Sequence, residues 1–79
     1  MPEPQFPPNR HSNTRNMVRK WRRWHELSQQ ELAERVGVSR QTIANVEKGN
    51  YSPSVYLALD ICAVLGRTVE EIFGDAQEG

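Results

Sequence analysis

The chain of 79 residues contains one cysteine and two histidines, and that scarcity removes several chemistries at once. A lone Cys62 cannot close an internal disulfide or supply a thiolate zinc site, and it suits a reducing compartment. His11 and His25 are too few and too far apart to build a metal site without it, so neither metal nor cofactor is expected. Long apolar runs are missing as well. The unbroken stretch at residues 61–65 falls far short of the ~20 residues that a bilayer demands. The opening MPEPQFPPNR has none of the apolar content of a signal peptide. A soluble, cytoplasmic chain with no membrane partner is the expectation. No segment alternates apolar and polar residues in the manner of a strand, and no internal repeat is visible. Nowhere do a nucleophile, a base and an orienting group assemble, which argues against an enzyme.

Net charge is also lacking, but only in sum. Residues 1–48 hold nine basic side chains against five acidic ones, a net of +4, while residues 49–79 hold Arg67 against five acids, a net of −4. An evenly spread neutral charge would speak against a nucleic-acid partner. A chain divided in this way can still present one basic face. Apolar residues at 37% and charged residues at 25% are ordinary for a single small globular domain.

Three stretches follow from composition. Residues 1–13 carry Pro2, Pro4, Pro7 and Pro8 with little apolar content, which predicts a flexible or polyproline-like arm. Residues 14–74 read as helical throughout and residues 75–79 as a frayed end. In the helical part, Thr14 is the expected N-cap of a first helix reaching His25, with Val18, Trp21 and His25 on its inward stripe. Ser28 with Glu31 forms a capping box for a second helix, stapled by Leu27 and Leu32 and stopped by Gly37. Ser39 caps a third, which ends at Lys48 before Gly49. A fourth starts near Ser54 and stops at Gly66, and Thr68 with Glu71 opens a last short helix at residues 69–73. Only Gly37 and Val38, plus the cap Ser39, separate the second helix from the third. So short a glycine-containing connection forces a sharp angle between them, which is helix-turn-helix geometry. The expected fold is all-α with five helices, its core drawn from Leu32, Val36, Val38, Ile43 and Val46.

The third helix divides into faces by spacing. Ile43 and Val46 turn inward with Glu47 beside them. The opposite face is Arg40, Gln41, Ala44, Asn45 and Lys48, with Thr42 at its edge. That face has no acid and no bulky apolar group. Its side chains are those that hydrogen-bond base edges, arginine to guanine and glutamine or asparagine to adenine, with a threonine methyl for thymine. A plain solvated face is the alternative, and the tight turn before it favours the base-reading one. Arg22 and Glu47 each lie beside an apolar stripe, where either alone is costly to bury, so they are expected to bury as a structural ion pair. Cys62 among Ala58, Ile61 and Leu65 reads as a buried small hydrophobe. Trp24 has two open roles, packing under the N-terminal arm or meeting a partner.

The run LSQQELAERVGVSRQTIANVEKGNYSPSVYLALDICAVLGRTVEEIF resembles the Cro and phage-repressor type of helix-turn-helix protein, the XRE family, from about Asn16 to Phe73. The resemblance implies a five-helix, lambda-repressor-like DNA-binding domain. It implies base contacts from Arg40, Gln41, Thr42 and Asn45 in the third helix, and phosphate contacts from Gln29 and from Asn50 and Tyr51 after Gly49. Arg22 with Glu47 matches the family's internal pair. Trp21 stands where the family has leucine, and Arg67 where it has an apolar residue. Arg19 and Lys48 join the expected phosphate contacts as basic groups flanking that surface.

These readings converge on a sequence-specific regulator of transcription, a repressor that binds double-stranded DNA as a homodimer on a palindromic operator. Val69, Ile72 and Phe73, the apolar cluster outside the four-helix pattern, are the expected dimer contact. They could equally close the core. The alternatives are the antitoxin of a toxin–antitoxin pair, with the Pro-rich arm folding on a protein partner, and an adaptor that binds no DNA.

Overall fold

A computed structural model describes residues 16–74. Among these residues there are five helices and no strand: α1 (Val18–Trp24), α2 (Gln29–Val36), α3 (Arg40–Lys48), α4 (Val55–Leu65) and α5 (Val69–Phe73). The Pro-rich arm, the Thr14 cap and the 75–79 end lie outside the described residues.

Four of the helices begin as their cap residues dictate. The hydroxyls of Ser28, Ser39, Ser54 and Thr68 accept from the backbone N–H groups of Glu31, Thr42, Leu57 and Glu71. Each bond satisfies a donor that the first helical turn would leave unpaired. Ser28 and Thr68 complete capping boxes, with the Glu31 and Glu71 carboxylates accepting from the cap backbone at 2.7 and 2.8 Å. α1 departs from expectation. It starts at Val18, where the Asn16 side chain accepts from the Val18 N–H at 3.1 Å. The Asn16 amide donates in turn to the Val46 carbonyl at 2.8 Å, and the Met17 N–H to the Ile72 carbonyl at 2.9 Å. The start of α1 is thereby tied to both α3 and α5.

Helices α1 to α4 stop in one way. The N–H of Leu27, Val38, Asn50 and Arg67 reaches back five residues to the carbonyls of Arg22, Ala33, Asn45 and Cys62. The residue before each donor is left-handed: Glu26 at φ 58°, then Gly37, Gly49 and Gly66 at 77°, 82° and 69°. Glycine takes that conformation freely, and Glu26 adopts it against the clash of its own Cβ.

The core is built from Val18, Leu27, Leu32, Ala33, Ile43, Val46, Leu57, Ile61, Cys62, Leu65 and Ile72, with Trp21, Val36, Val38, Val64 and Phe73 packed against it. Each fully buried Leu or Ile contributes about 1.5–3 kcal/mol relative to exposure. Leu27 and Leu32 form the expected staple across the α2 cap. The inward side of α1 is not the one expected. Val18 and Arg22 are buried, Trp21 is half-buried and His25 is exposed. The helix stops before His25, whose Nε2 instead donates to the Leu65 carbonyl at 2.8 Å. Arg22 can take the inner position because its charge is met inside.

Candidate nucleic-acid interface

Arg22 and Glu47 are the internal support of the surface. Arg22 Nε donates to Glu47 Oε2 at 2.6 Å and Nη2 to Oε1 at 3.2 Å, while Nη1 donates to the Leu27 carbonyl at 2.7 Å. The two side chains keep only 11% and 5% of their area exposed. A fork of donors on a carboxylate is the strongest geometry available to such a pair. It joins α1 to α3 and fixes the rotation of α3 about its own axis.

Gln29, the first residue of α2, extends this network outward. Its Nε2 donates to Glu47 Oε1 at 3.1 Å, and its Oε1 accepts from Arg40 Nη1 at 3.4 Å. One amide therefore bridges the buried pair to the first residue of α3. Gln29, Arg19, Ala44 and Lys48 line a shallow open cleft where α1, α2 and α3 meet, with Arg22 and Glu47 below. Two cations on its walls and the N-terminal end of α2 beside it make the cleft electropositive.

The outer face of α3 carries the rest. Arg40, Gln41 and Lys48 are exposed, while Thr42, Ala44 and Asn45 are half-buried. Gln41 Nε2 donates to Asn45 Oδ1 at 3.1 Å, which holds both amides one turn apart on the same side. The Thr42 and Ser39 hydroxyls lie 2.9 Å apart. The face is oriented by the turn before it. Left-handed Gly37 swings the chain through Val38 directly into the Ser39 cap. A Cβ at Gly37 would meet nothing within 4 Å, so the requirement for glycine there is conformational and not steric. Beyond Gly49 the chain presents Asn50 and Tyr51, both exposed, at the C-terminal end of α3.

Arg19, Gln29, Arg40, Gln41, Asn45, Lys48, Asn50 and Tyr51 thus offer surface on or beside α3. Among Val69, Ile72 and Phe73, the expected dimer contacts, only Val69 is exposed. Ile72 is fully buried and accepts from Met17 through its carbonyl, and Phe73 is packed against the core. Ile72 and Phe73 close the core, while Val69 keeps 38% of its surface exposed at the start of α5. Sequence reasoning missed Asn16, although an asparagine two residues before a helical run is a capping signal in its own right. It also missed the contact between the two unusual residues, Trp21 and Arg67, whose guanidinium carbon lies 3.8 Å from the Trp21 ring centroid.

The Helix-turn-helix family model matches residues 18–72 of the chain. Over 60 residues the chain is 55% identical to an uncharacterized HTH-type transcriptional regulator of Methanothermobacter thermautotrophicus, covering 75% of this chain and 87% of that one. It is 46% identical over 59 residues to the HTH-type transcriptional regulator YgzD of Bacillus subtilis, covering 75% and 89%. Among solved structures it is similar to the restriction-modification controller protein C.AhdI of Aeromonas hydrophila. There the TM-score is 0.64 at 30% identity, over 68% of this chain and 82% of that one.

Proposed function

The chain belongs to the XRE-type helix-turn-helix family, whose members are DNA-binding transcriptional regulators, and from that premise we propose that it is a sequence-specific repressor that occupies a palindromic operator as a homodimer. The observation that carries this reading is the outer face of α3: six positions with three hydrogen-bonding side chains, two cations, a small alanine and no acid, turned outward by the Gly37 connection. In the proposed complex α3 lies in the major groove, where Arg40, Gln41 and Asn45 meet base edges and the Thr42 methyl a thymine. Gln29, Arg19, Lys48, Asn50 and Tyr51 hold phosphates on either side, which sets the register of α3 without reading sequence. Occupying the operator suffices for repression and asks no catalysis of the protein.

Selection of bound duplexes from a random DNA pool tests the reading. It predicts a shared motif made of two inverted half-sites. A pool that stays unenriched after repeated rounds contradicts it.

A further inference from the structure

Helix α1 has a second apolar side that the other described residues leave open. Val18 and Arg22 face the core, while Met17, Trp21 and Trp24 recur at the four- and three-residue spacing of one helix face. Met17 is 36% exposed, Trp21 half-buried and Trp24 69% exposed. Trp21 is held in place, with the Arg67 guanidinium carbon and Lys20 Nζ at 3.8 and 5.2 Å from its ring centroid. Trp24 meets Trp21 edge-on, the centroids 5.8 Å apart and the planes at 70°. The exposed indole thus rests on a clamped neighbour and forms a rigid aromatic platform at the surface. By helical spacing the strip stands roughly 140–160° around α1 from Arg19, away from the cleft that Arg19 lines.

We propose that residues 4–8 of the same chain, PQFPP, dock on this strip as a polyproline II segment. The sequence of that segment supports it as the occupant. Pro4 and Pro7 stand three apart, the repeat of a polyproline II helix, so the two rings share one ridge. Such ridges dock on exposed aromatic side chains, and proline has little backbone freedom left to lose in doing so. Position supports it as well. The Met17 N–H donates to the Ile72 carbonyl and the Asn16 amide to the Val46 carbonyl, so the chain enters α1 from a fixed point at one end of the strip. Trp24 lies ~12 Å from Asn16 along the helix. The eight residues that lead from Pro8 to Asn16 reach up to ~26 Å. That tether keeps the ridge beside the strip at an effective concentration on the order of 1 mM, which a Pro-rich segment of another molecule would have to match. Charge agrees. Glu3, the one acid in residues 1–15, precedes the ridge, and Lys20 and Arg23 stand exposed next to Trp24.

Nuclear Overhauser contacts in the full chain test this directly. Ring protons of Pro4 or Pro7 should show contacts to the Trp24 indole. The same contacts should be missing from the isotope-filtered spectrum of mixed labelled and unlabelled protein, which reports contacts between copies. The full-length variant Pro4→Ser with Pro7→Ser and Pro8→Ser should lose them while its circular dichroism stays unchanged. Its tryptophan emission should shift to the red and become easier to quench with acrylamide. In a Trp24→Phe background the three substitutions should move the emission far less. Affinity for duplex DNA should be the same with and without them. The inference is overturned if wild type shows no such contacts and the triple variant quenches as wild type does. It is equally overturned if the contacts arise only between copies, or if the triple variant loses DNA affinity while its tryptophan emission stays put.

Discussion

Glu47 receives three donors on two oxygens, two from Arg22 and one from Gln29, and its removal would strand a guanidinium inside the protein. Glu47→Ala is expected to cost about 3 kcal/mol in urea unfolding, the usual consequence of breaking a buried pair from one side. The double variant Arg22→Met with Glu47→Leu should recover much of that loss, because an apolar pair leaves no charge uncompensated. A single variant within about 0.5 kcal/mol of wild type would place the pair at the surface after all. The pairing of Arg22 with Glu47 is legible in the sequence because each sits beside an apolar stripe of its own helix. Asn16 with Val46, and Arg67 with Trp21, are not. Both contacts join residues 30 or more positions apart, and nothing local to either partner announces the other. The Arg67 guanidinium over the Trp21 face is a cation–π contact, so each of these two residues finds its partner in the other.

The helices are legible for a different reason: their starts and stops are local chemistry. A hydroxyl three residues ahead of a free N–H, and a glycine in the left-handed position, need no tertiary partner to be recognised. Helix α1 lacks both signals in the usual places, and it is the one helix whose bounds the sequence misleads about. Its stop is made by Glu26 at φ 58°, where the three following helices use glycine. Glu26→Gly is therefore expected to stabilise the protein, by roughly 0.5–1 kcal/mol, as relief of the Cβ clash outweighs the greater freedom of the unfolded chain. Thermal unfolding would show it as a higher Tm. The capping boxes add a pH dependence. The Ser28 backbone N–H, followed by its hydroxyl, holds the Glu31 carboxyl below the usual carboxylate range, and the Thr68 N–H does the same for Glu71. A depressed folded-state pKa gives stability that is present at neutral pH and lost as pH falls through the folded value. Glu31→Gln keeps an acceptor for the cap but removes the titration. The gap in Tm between wild type and this variant should narrow as pH drops from about 5 toward 2. A gap independent of pH would mean that the box carboxylate adds nothing beyond its neutral hydrogen bond.

At the scale of the whole molecule, the zero net charge conceals a basic half that contains α1, α2 and α3 and an acidic half that contains α4 and α5. The division suits a protein that meets a polyanion with one side only. Lys48→Ala is expected to weaken binding to every sequence alike and to make the salt dependence shallower by about one unit for each phosphate that is no longer neutralised. The fold as a whole was legible, since the short connection at Gly37 determines how α2 and α3 meet. Which apolar side chains of α4 and α5 face water was not. Whether Ile72 or Leu59 faces water depends on which side of each helix the rest of the chain covers, and periodicity is silent on that where a helix is apolar all round.

Gln41 and Asn45 carry the central claim, because they stand side by side on the exposed face of α3 and hydrogen-bond only each other through their side chains. The direct measurement is the affinity of wild type, Gln41→Ala and Asn45→Ala for the selected site and for scrambled DNA at one salt concentration. Each variant should lose roughly 1–3 kcal/mol on the selected site and relax its preference at one base position per half-site, with binding to scrambled DNA nearly unchanged. Equal weakening on both DNAs would show that α3 does not read sequence.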